Sequence, residues 1–161
     1  GWSDLARIGL VAVDDHYDDI DFRSLLFHYS GADITQDRPF DVYGMTDNLE
    51  EFGSWLHEVQ LGNGGDNAES FACATAAAIA LDPGAAIWII TDAYPHNRNG
   101  DGSCTCGASG DVFLNPRVRV LLLDHTVKSW WPQQMSRERI AVTTTRAFLA
   151  ALTPEPKEVA A

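Results

Sequence analysis

The sequence predicts a Rossmann-like α/β fold, in which helices flank a mostly parallel sheet. Two apolar runs support this prediction, at residues 86–91 and 118–124, because few polar residues interrupt them. Such runs are typical of strands that are covered on both faces, as in parallel sheets. Segments with helical spacing lie between the candidate strands, which is the element order of a doubly wound fold.

The N-terminal half begins with a predicted buried strand at residues 7–13. Residues 22–29 are apolar and form a candidate second strand, whereas residues 40–45 are either an edge strand or the approach to a helix. We expect Asp47 to be the N-cap of that helix, with Glu50 at its third position. Apolar side chains then recur at helical spacing and predict an amphipathic helix of roughly three turns: Leu49, Phe52, Trp55, Leu56 and Val59.

Two further helices are predicted in the rest of the chain. Asp66 and Glu69 form a capping-box pattern, so a helix of small apolar residues is expected over 66–81. A polar loop covers about 95–116, after the strand at 86–91, and the last helix is expected over about 136–152.

Length and composition indicate one folded globular domain over residues 1–153, followed by a short tail at 154–161. The formal charge of −12 argues against a nucleic-acid partner, because the phosphate backbone is itself anionic. No apolar run approaches the roughly 20 residues that span a bilayer, so no membrane span is expected. Three cysteines do not make a disulfide framework, and Cys73, in an alanine-rich run, is interpreted as a small buried hydrophobe.

Three segments resemble a von Willebrand factor A domain, of the variety with YRDH, GGGDxPEA and TDAPPH motifs. In this chain the corresponding residues read VDDH at 13–16, GGDNAE at 64–69 and TDAYPH at 91–96. The resemblance covers about residues 5–125, and it is specific because three linked motifs occur in the same order. It implies a VWA-like sheet and a metal-ion-dependent adhesion site that binds Mg²⁺ or another divalent ion.

By position in the resemblance, Asp66 and Asp92 would be ligands of that metal, and Asp14 is a further carboxylate at the same edge. Oxygen ligands suit Mg²⁺ or Ca²⁺. The alternatives are that Asp92 caps neighbouring helix N-termini and that Asp66 is simply an N-cap. Asp15 and His16 lie at the same strand end, where His16 could orient a carboxylate or remain a surface histidine.

The family's DxSxS motif and its first, central strand are missing from the match. A buried parallel sheet cannot leave a central row of N–H and C=O groups unpaired. We therefore expect a complementing strand from another chain, or a homo-oligomer, to fill the gap.

The loop after the 86–91 strand contains two further candidate sites. Asn97, Asn99 and Asp101 alternate like the first half of a calcium loop, although such residues are also those of ordinary turns. Cys104 and Cys106 are candidate zinc ligands, together with His96 and His125. Because C-x-C is not the usual zinc spacing, two free thiols or a disulfide are the alternatives.

The function predicted from these features is a non-enzymatic, protein-binding module of VWA type that uses loops 14–19, 62–67 and 93–111. The alternative is a metal-dependent hydrolase that uses carboxylates such as Asp14 and Asp92. Neither a nucleophile elbow nor a phosphate-binding loop is present. The candidate binding residues are Asp15, His16, Glu69, His96, Asn97, Asp101, Cys104 and Cys106. Trp130 and Trp131 would add a binding hot spot if they were exposed.

Overall fold

The computed structural model describes residues 7–13, 40–59 and 68–152. The candidate strand at 22–29 and the tail at 154–161 lie outside these ranges. The described strands are β1 (Ile8–Val13), β2 (Phe40–Thr46), β3 (Ala68–Glu69), β4 (Ile87–Thr91), β5 (Tyr94–Pro95), β6 (Val118–Leu122) and β7 (Ile140–Val142). The described α-helices are α1 (Leu49–Glu58), α2 (Phe71–Leu81) and α3 (Thr145–Leu152). Short 3₁₀ helices occupy Gly110–Leu114, His125–Trp130 and Arg137–Arg139.

The strands form two principal sheets and one short pairing. β4, β6 and β7 are parallel, with Ile87 opposite Val118 and Val120 opposite Ile140. β1 and β2 are antiparallel. β3 and β5 form a two-residue parallel pair. The predicted α/β class, with parallel strands flanked by helices, is therefore confirmed.

Helix α2 connects the two principal sheets, because it contacts β1 and β2 as well as β4. Its first residues, Phe71 to Thr75, are all buried, whereas residues from Ala76 onward are half-buried or exposed. The N-terminal part of α2 therefore lies in the core and fixes the position of every side chain in its first turn.

The core beside α2 is built around Trp131, which is fully buried. Its ring centroid lies 5.4 Å from that of Phe71 and 5.8 Å from that of Phe113. Its indole N–H donates to the carbonyl of Ala93 at 3.1 Å, which satisfies the polar atom of the buried ring. Trp131 is thus a core residue and not an exposed hot spot, while Trp130 is half-buried.

The prediction that both faces of β4 are covered is wrong for the described structure. Ile89 is buried in the core, but Trp88 is 55% exposed and Ile90 is 49% exposed. Helix α2 covers only the face that contains Ile89, because side chains alternate along a strand. On the other face, the Arg119 guanidinium lies 5.9 Å from the centre of the Trp88 ring.

Two predicted helix starts also require correction. Asn48, and not Asp47, caps α1, since its side-chain oxygen accepts from the N–H groups of Glu50 and Glu51. The second helix begins at Phe71 instead of at residue 66, because Glu69 pairs with Pro95 as a strand. The capping-box role predicted for Glu69 is therefore wrong: cross-strand pairing outweighs the local helix signal.

The last predicted helix, over 136–152, is divided. Residues Ile140–Val142 pair with β6 as the strand β7, and α3 begins only at Thr145. Arg139 supports this arrangement, because its guanidinium donates to the carbonyls of Phe113 at 2.8 Å and Val118 at 3.1 Å. Long-range pairing thus overrides the helical pattern of the segment.

Within the described ranges, no helix is long and apolar enough to cross a membrane, in agreement with the sequence.

Replacing Trp131 by alanine should lower the free energy of unfolding by about 3–5 kcal/mol, because it empties a fully buried site. The matched variant Trp88→Ala removes an exposed ring and should cost less than about 1 kcal/mol. Urea denaturation followed by circular dichroism measures both values. Equal losses in the two variants would contradict the proposed core.

Candidate metal centre

Three cysteine sulfurs meet at one place in the fold. The Sγ atoms of Cys73, Cys104 and Cys106 all lie within 4.8 Å of one another. The Sγ atoms of Cys73 and Cys106 are 3.2 Å apart. We call this group the thiol cluster. It connects the first turn of α2 with the loop that follows β5.

The three thiols differ in their exposure. Cys73 is buried in the first turn of α2, and Cys104 is buried with its Sγ 3.6 Å from the hydroxyl oxygen of Ser70. Cys106 is exposed. The thiol cluster is therefore reached from solvent through Cys106.

A tight turn brings Cys104 and Cys106 to the same side of the loop. The carbonyl of Cys104 accepts from the N–H of Gly107 at 2.9 Å, and the N–H of Cys104 donates to the carbonyl of Ala108 at 2.9 Å. Gly107 has a φ of 90°, in the region that favours glycine. This turn explains how a C-x-C spacing can present both sulfurs to Cys73.

The loop is fixed closely against the core. Gly102 has a φ of 80°, and a Cβ at this position would lie 2.6 Å from Cγ of Pro132 and 2.7 Å from the ring of Phe113. Gln134 adds two hydrogen bonds, because its side-chain N–H₂ donates to the carbonyls of Asp101 and Gly110 at 3.0 and 3.1 Å. The positions of the two loop cysteines are thus set by the packing around them.

The residues predicted as half of a calcium loop bond to one another. Oδ1 of Asp101 accepts from the backbone N–H of Ser103 at 2.9 Å and from the side-chain amide of Asn97 at 2.8 Å. The Ser103 N–H, then the Ser103 hydroxyl and the Asn97 amide, hold the pKa of Asp101 below its usual range. The alternative interpretation, ordinary turn residues, therefore fits this segment better than a Ca²⁺ site.

The pKa values of two thiols in the cluster are shifted in opposite directions. Burial raises the pKa of the Cys73 thiol, and the hydrogen bonds and charges of Cys106 and Cys104 raise it further. Partial desolvation opposes ionisation of Cys106, but hydrogen bonds from Cys73, from the backbone at Ala108 and from Cys104 together lower its pKa. The pKa values of Cys73 and Cys106 are thus shifted in opposite directions, and the charges of three thiolates held together would require a bound cation to compensate them.

The remaining predicted site residues either lie outside the described residues or differ in burial. Asp14, Asp15, His16 and Asp66 lie outside the described residues. Asp92 is exposed just after β4, Glu69 is half-buried in β3, and His96 is buried. His125 has an 86% exposed side chain beside Asp124, at 3.8 Å.

In the part of the chain that the structure describes, the thiol cluster is the only group of three or more histidine, cysteine or acidic side chains that could hold one metal ion. It contains Cys104 and Cys106, as predicted, but neither His96 nor His125. It also contains Cys73, which the sequence led us to interpret only as a small buried hydrophobe. The predicted Mg²⁺ or Ca²⁺ site gains no support: among the described residues Asp92 belongs to no such group, and Asp14 and Asp66 lie outside those residues.

An open pocket of about 430 Å³ is formed by β5 and the start of the loop, and Arg98 is among its lining residues. The Arg98 guanidinium lies 4.8 Å from the centre of the Trp130 ring and 5.3 Å from that of Tyr94. It also donates to the Tyr94 hydroxyl at 3.1 Å. Cation–π contacts with the two rings and the hydrogen bond to the Tyr94 hydroxyl hold this cation at the pocket.

Comparisons with protein-family models, with curated proteins and with solved structures found no match to this chain.

The lowered pKa of Asp101 leads us to predict a pH-dependent change in the loop. Folding lowers the pKa of Asp101, so the ionised carboxylate contributes to the free energy of unfolding. This contribution is fully present above the ordinary aspartate pKa of about 3.9, and it is lost as the pH falls through the lower pKa of the folded state. The amide resonance of Ser103 should therefore titrate with a midpoint below about 3.9. Asp101→Asn is the control, since it keeps an acceptor but removes the titration. A wild-type midpoint at or above the ordinary value would contradict the hydrogen bonding described.

Proposed function

We propose that the chain is a non-enzymatic, VWA-like protein-binding module whose loop 93–111 is held in shape by Zn²⁺ at the thiol cluster. The single observation that supports the metal is the convergence of three sulfurs from two distant parts of the chain. A loop that binds a partner gains affinity when it is ordered beforehand, because less conformational entropy is lost on binding.

Three thiolate ligands suit Zn²⁺ better than Mg²⁺ or Ca²⁺. Thiolates are soft ligands that select Zn²⁺, Cu⁺ or iron–sulfur clusters over Mg²⁺ and Ca²⁺. Tetrahedral zinc with Zn–S bonds of about 2.3 Å places its sulfurs about 3.8 Å apart. That value lies between the 3.2 Å that separates Cys73 from Cys106 and the 4.8 Å within which all three sulfurs lie. A fourth ligand would come from water or from a group outside the described residues.

The pocket beside the loop suggests what the partner presents. The resemblance implies a partner with an acidic group, and Arg98 offers a guanidinium at this pocket that is held by a cation–π contact with Trp130. Guanidinium groups recognise carboxylates through paired hydrogen bonds. A carboxylate of the partner could therefore bind at Arg98 without a carboxylate-bound metal in the module. The alternative hydrolase gains no support, because Asp92 is exposed and Asp14 lies outside the described residues.

The two sheets support the expectation of a complementing strand. Among the described strands, β1 pairs only with β2, and β4 pairs only with β6 on one side. Both sheets pack on α2. The N–H of Ile87 and the carbonyl of Thr91 form hydrogen bonds with the β6 side of the sheet. Because the direction of these groups alternates along a strand, the backbone N–H and C=O groups of Trp88 and Ile90 point away from β6. An extended segment of another chain, or of a second copy, would pair with this edge by strand addition.

Purified protein should contain one zinc ion per chain. Replacing any one of Cys73, Cys104 or Cys106 by serine should weaken zinc binding by more than the ~10–100-fold typical of losing an outer-shell group. Elemental analysis combined with chelator competition measures the stoichiometry and affinity. Ser129→Ala, an exposed change away from the sulfurs, is the control and should leave zinc binding unchanged. Loss of metal in Asp92→Ala, with full binding in the cysteine variants, would contradict the proposal.

The strand proposal predicts a dimer, or a second polypeptide, in native mass spectra of the wild-type protein. Ile90→Pro should abolish it while preserving the fold, because the lost N–H points away from β6 and proline is tolerated at such edge positions. Ile90→Val is the matched control and should still associate. A wild-type monomer in which the Trp88 and Ile90 amides already resist hydrogen exchange would refute strand addition.

A further inference from the structure

We infer that Cys106 and Cys73 form a peroxide-reactive dithiol, in which a hydroperoxide converts the pair to a disulfide that links the loop to α2. The reaction of the two thiols rests on their geometry alone. Its further consequence, the release of zinc, rests on the proposed function.

The exposure of the sulfurs determines which one reacts first. Cys106 is exposed, so a small peroxide in solvent can reach its sulfur. Cys73 and Cys104 are buried, at 8% and 6% exposure, and are shielded from direct attack. The initial oxidation therefore takes place at Cys106.

The position of Cys73 determines how the oxidised Cys106 is resolved. Its sulfur lies 3.2 Å from that of Cys106, and its place in the buried first turn of α2 keeps it there. The buried sulfur of Cys104 lies within 4.8 Å of the Cys106 sulfur and is also 3.6 Å from the Ser70 hydroxyl. Cys104 is also only two residues from Cys106, so a bond between them would close a small ring. Cys73 is therefore the resolving thiol.

The chemistry balances in two steps. The Cys106 sulfur attacks the outer oxygen of the hydroperoxide, the O–O bond breaks, and an alcohol (or water, from hydrogen peroxide) leaves, which gives a sulfenic acid at Cys106. The Cys73 sulfur then attacks the Cys106 sulfur, the S–S bond forms, and the hydroxyl leaves as water with the proton of the Cys73 thiol. Two thiols are oxidised by two electrons in total, and the peroxide is reduced.

The product would change the thiol cluster without freeing the loop. The disulfide keeps the loop joined to α2 by a covalent bond, but it removes two of the three thiolates. Zinc would then keep only the Cys104 sulfur of its three protein ligands in the cluster, so we expect it to be released. A dithiol reductant reverses the change by exchange.

The test treats both zinc-loaded and metal-free protein with hydrogen peroxide, quenches with catalase, and alkylates the remaining thiols. Before alkylation the intact mass should be lower by two hydrogen masses, and digestion after alkylation should yield a peptide that joins Cys73 to Cys106, with Cys104 alkylated. Cys104→Ser should still form this link, whereas Cys106→Ser should not. A chromogenic chelator should record zinc release in step with the disulfide.

The outcomes separate this inference from the proposed function. The Cys73–Cys106 peptide in metal-free protein supports the dithiol even if no zinc is ever bound. Zinc binding without that peptide leaves the proposed metal intact and overturns the inference. A Cys104–Cys106 link, or sulfinic acid at Cys106 with Cys73 still reduced, also overturns it. The wild-type peptide map gives this result even if a cysteine variant fails to fold.

Discussion

The rest of the structure depends on the burial of the first turn of α2 against Trp131. Phe71 packs on this ring from the helix, and Phe113 packs on it from the far side of the loop. The indole N–H of Trp131 also bonds to Ala93, where the loop leaves β4. One fully buried side chain thus fixes both the helix and the loop that contribute the thiol cluster. Without this side chain, the helix and the loop would not be held in the relative position that brings the three sulfurs together.

The thiol cluster has an electrostatic cost that a bound cation would offset. Cysteine is a good small core residue when it is neutral and alone. Here three sulfurs converge, and the buried Cys73 thiol resists ionisation, while Cys106 ionises more easily. Apolar residues would pack this position without electrostatic conflict. A Zn²⁺ ion would compensate the charge of the thiolates and join α2 to the loop, which gives the arrangement a structural purpose.

The sequence predicted what depends on local pattern and missed what depends on distant partners. The apolar runs of β4 and β6 were sufficient for the α/β class, because parallel strands have a recognisable composition. The helix predicted over 136–152 failed, since pairing of Ile140–Val142 with β6 is a long-range contact that local periodicity does not contain. Likewise, the C-x-C pattern indicated Cys104 and Cys106, but Cys73 lies 31 residues away from Cys104 in an alanine-rich helix. The buried face of that helix, with a cysteine in its first turn, was the available signal.

X-ray absorption at the zinc edge of the purified protein tests the central claim most directly. The proposed centre predicts a first shell of three sulfur atoms at about 2.3 Å, with one lighter atom completing a tetrahedron. This spectrum reports the ligands themselves and does not depend on any substitution. A first shell made only of oxygen and nitrogen would contradict the account, since the thiol cluster would then not hold the metal.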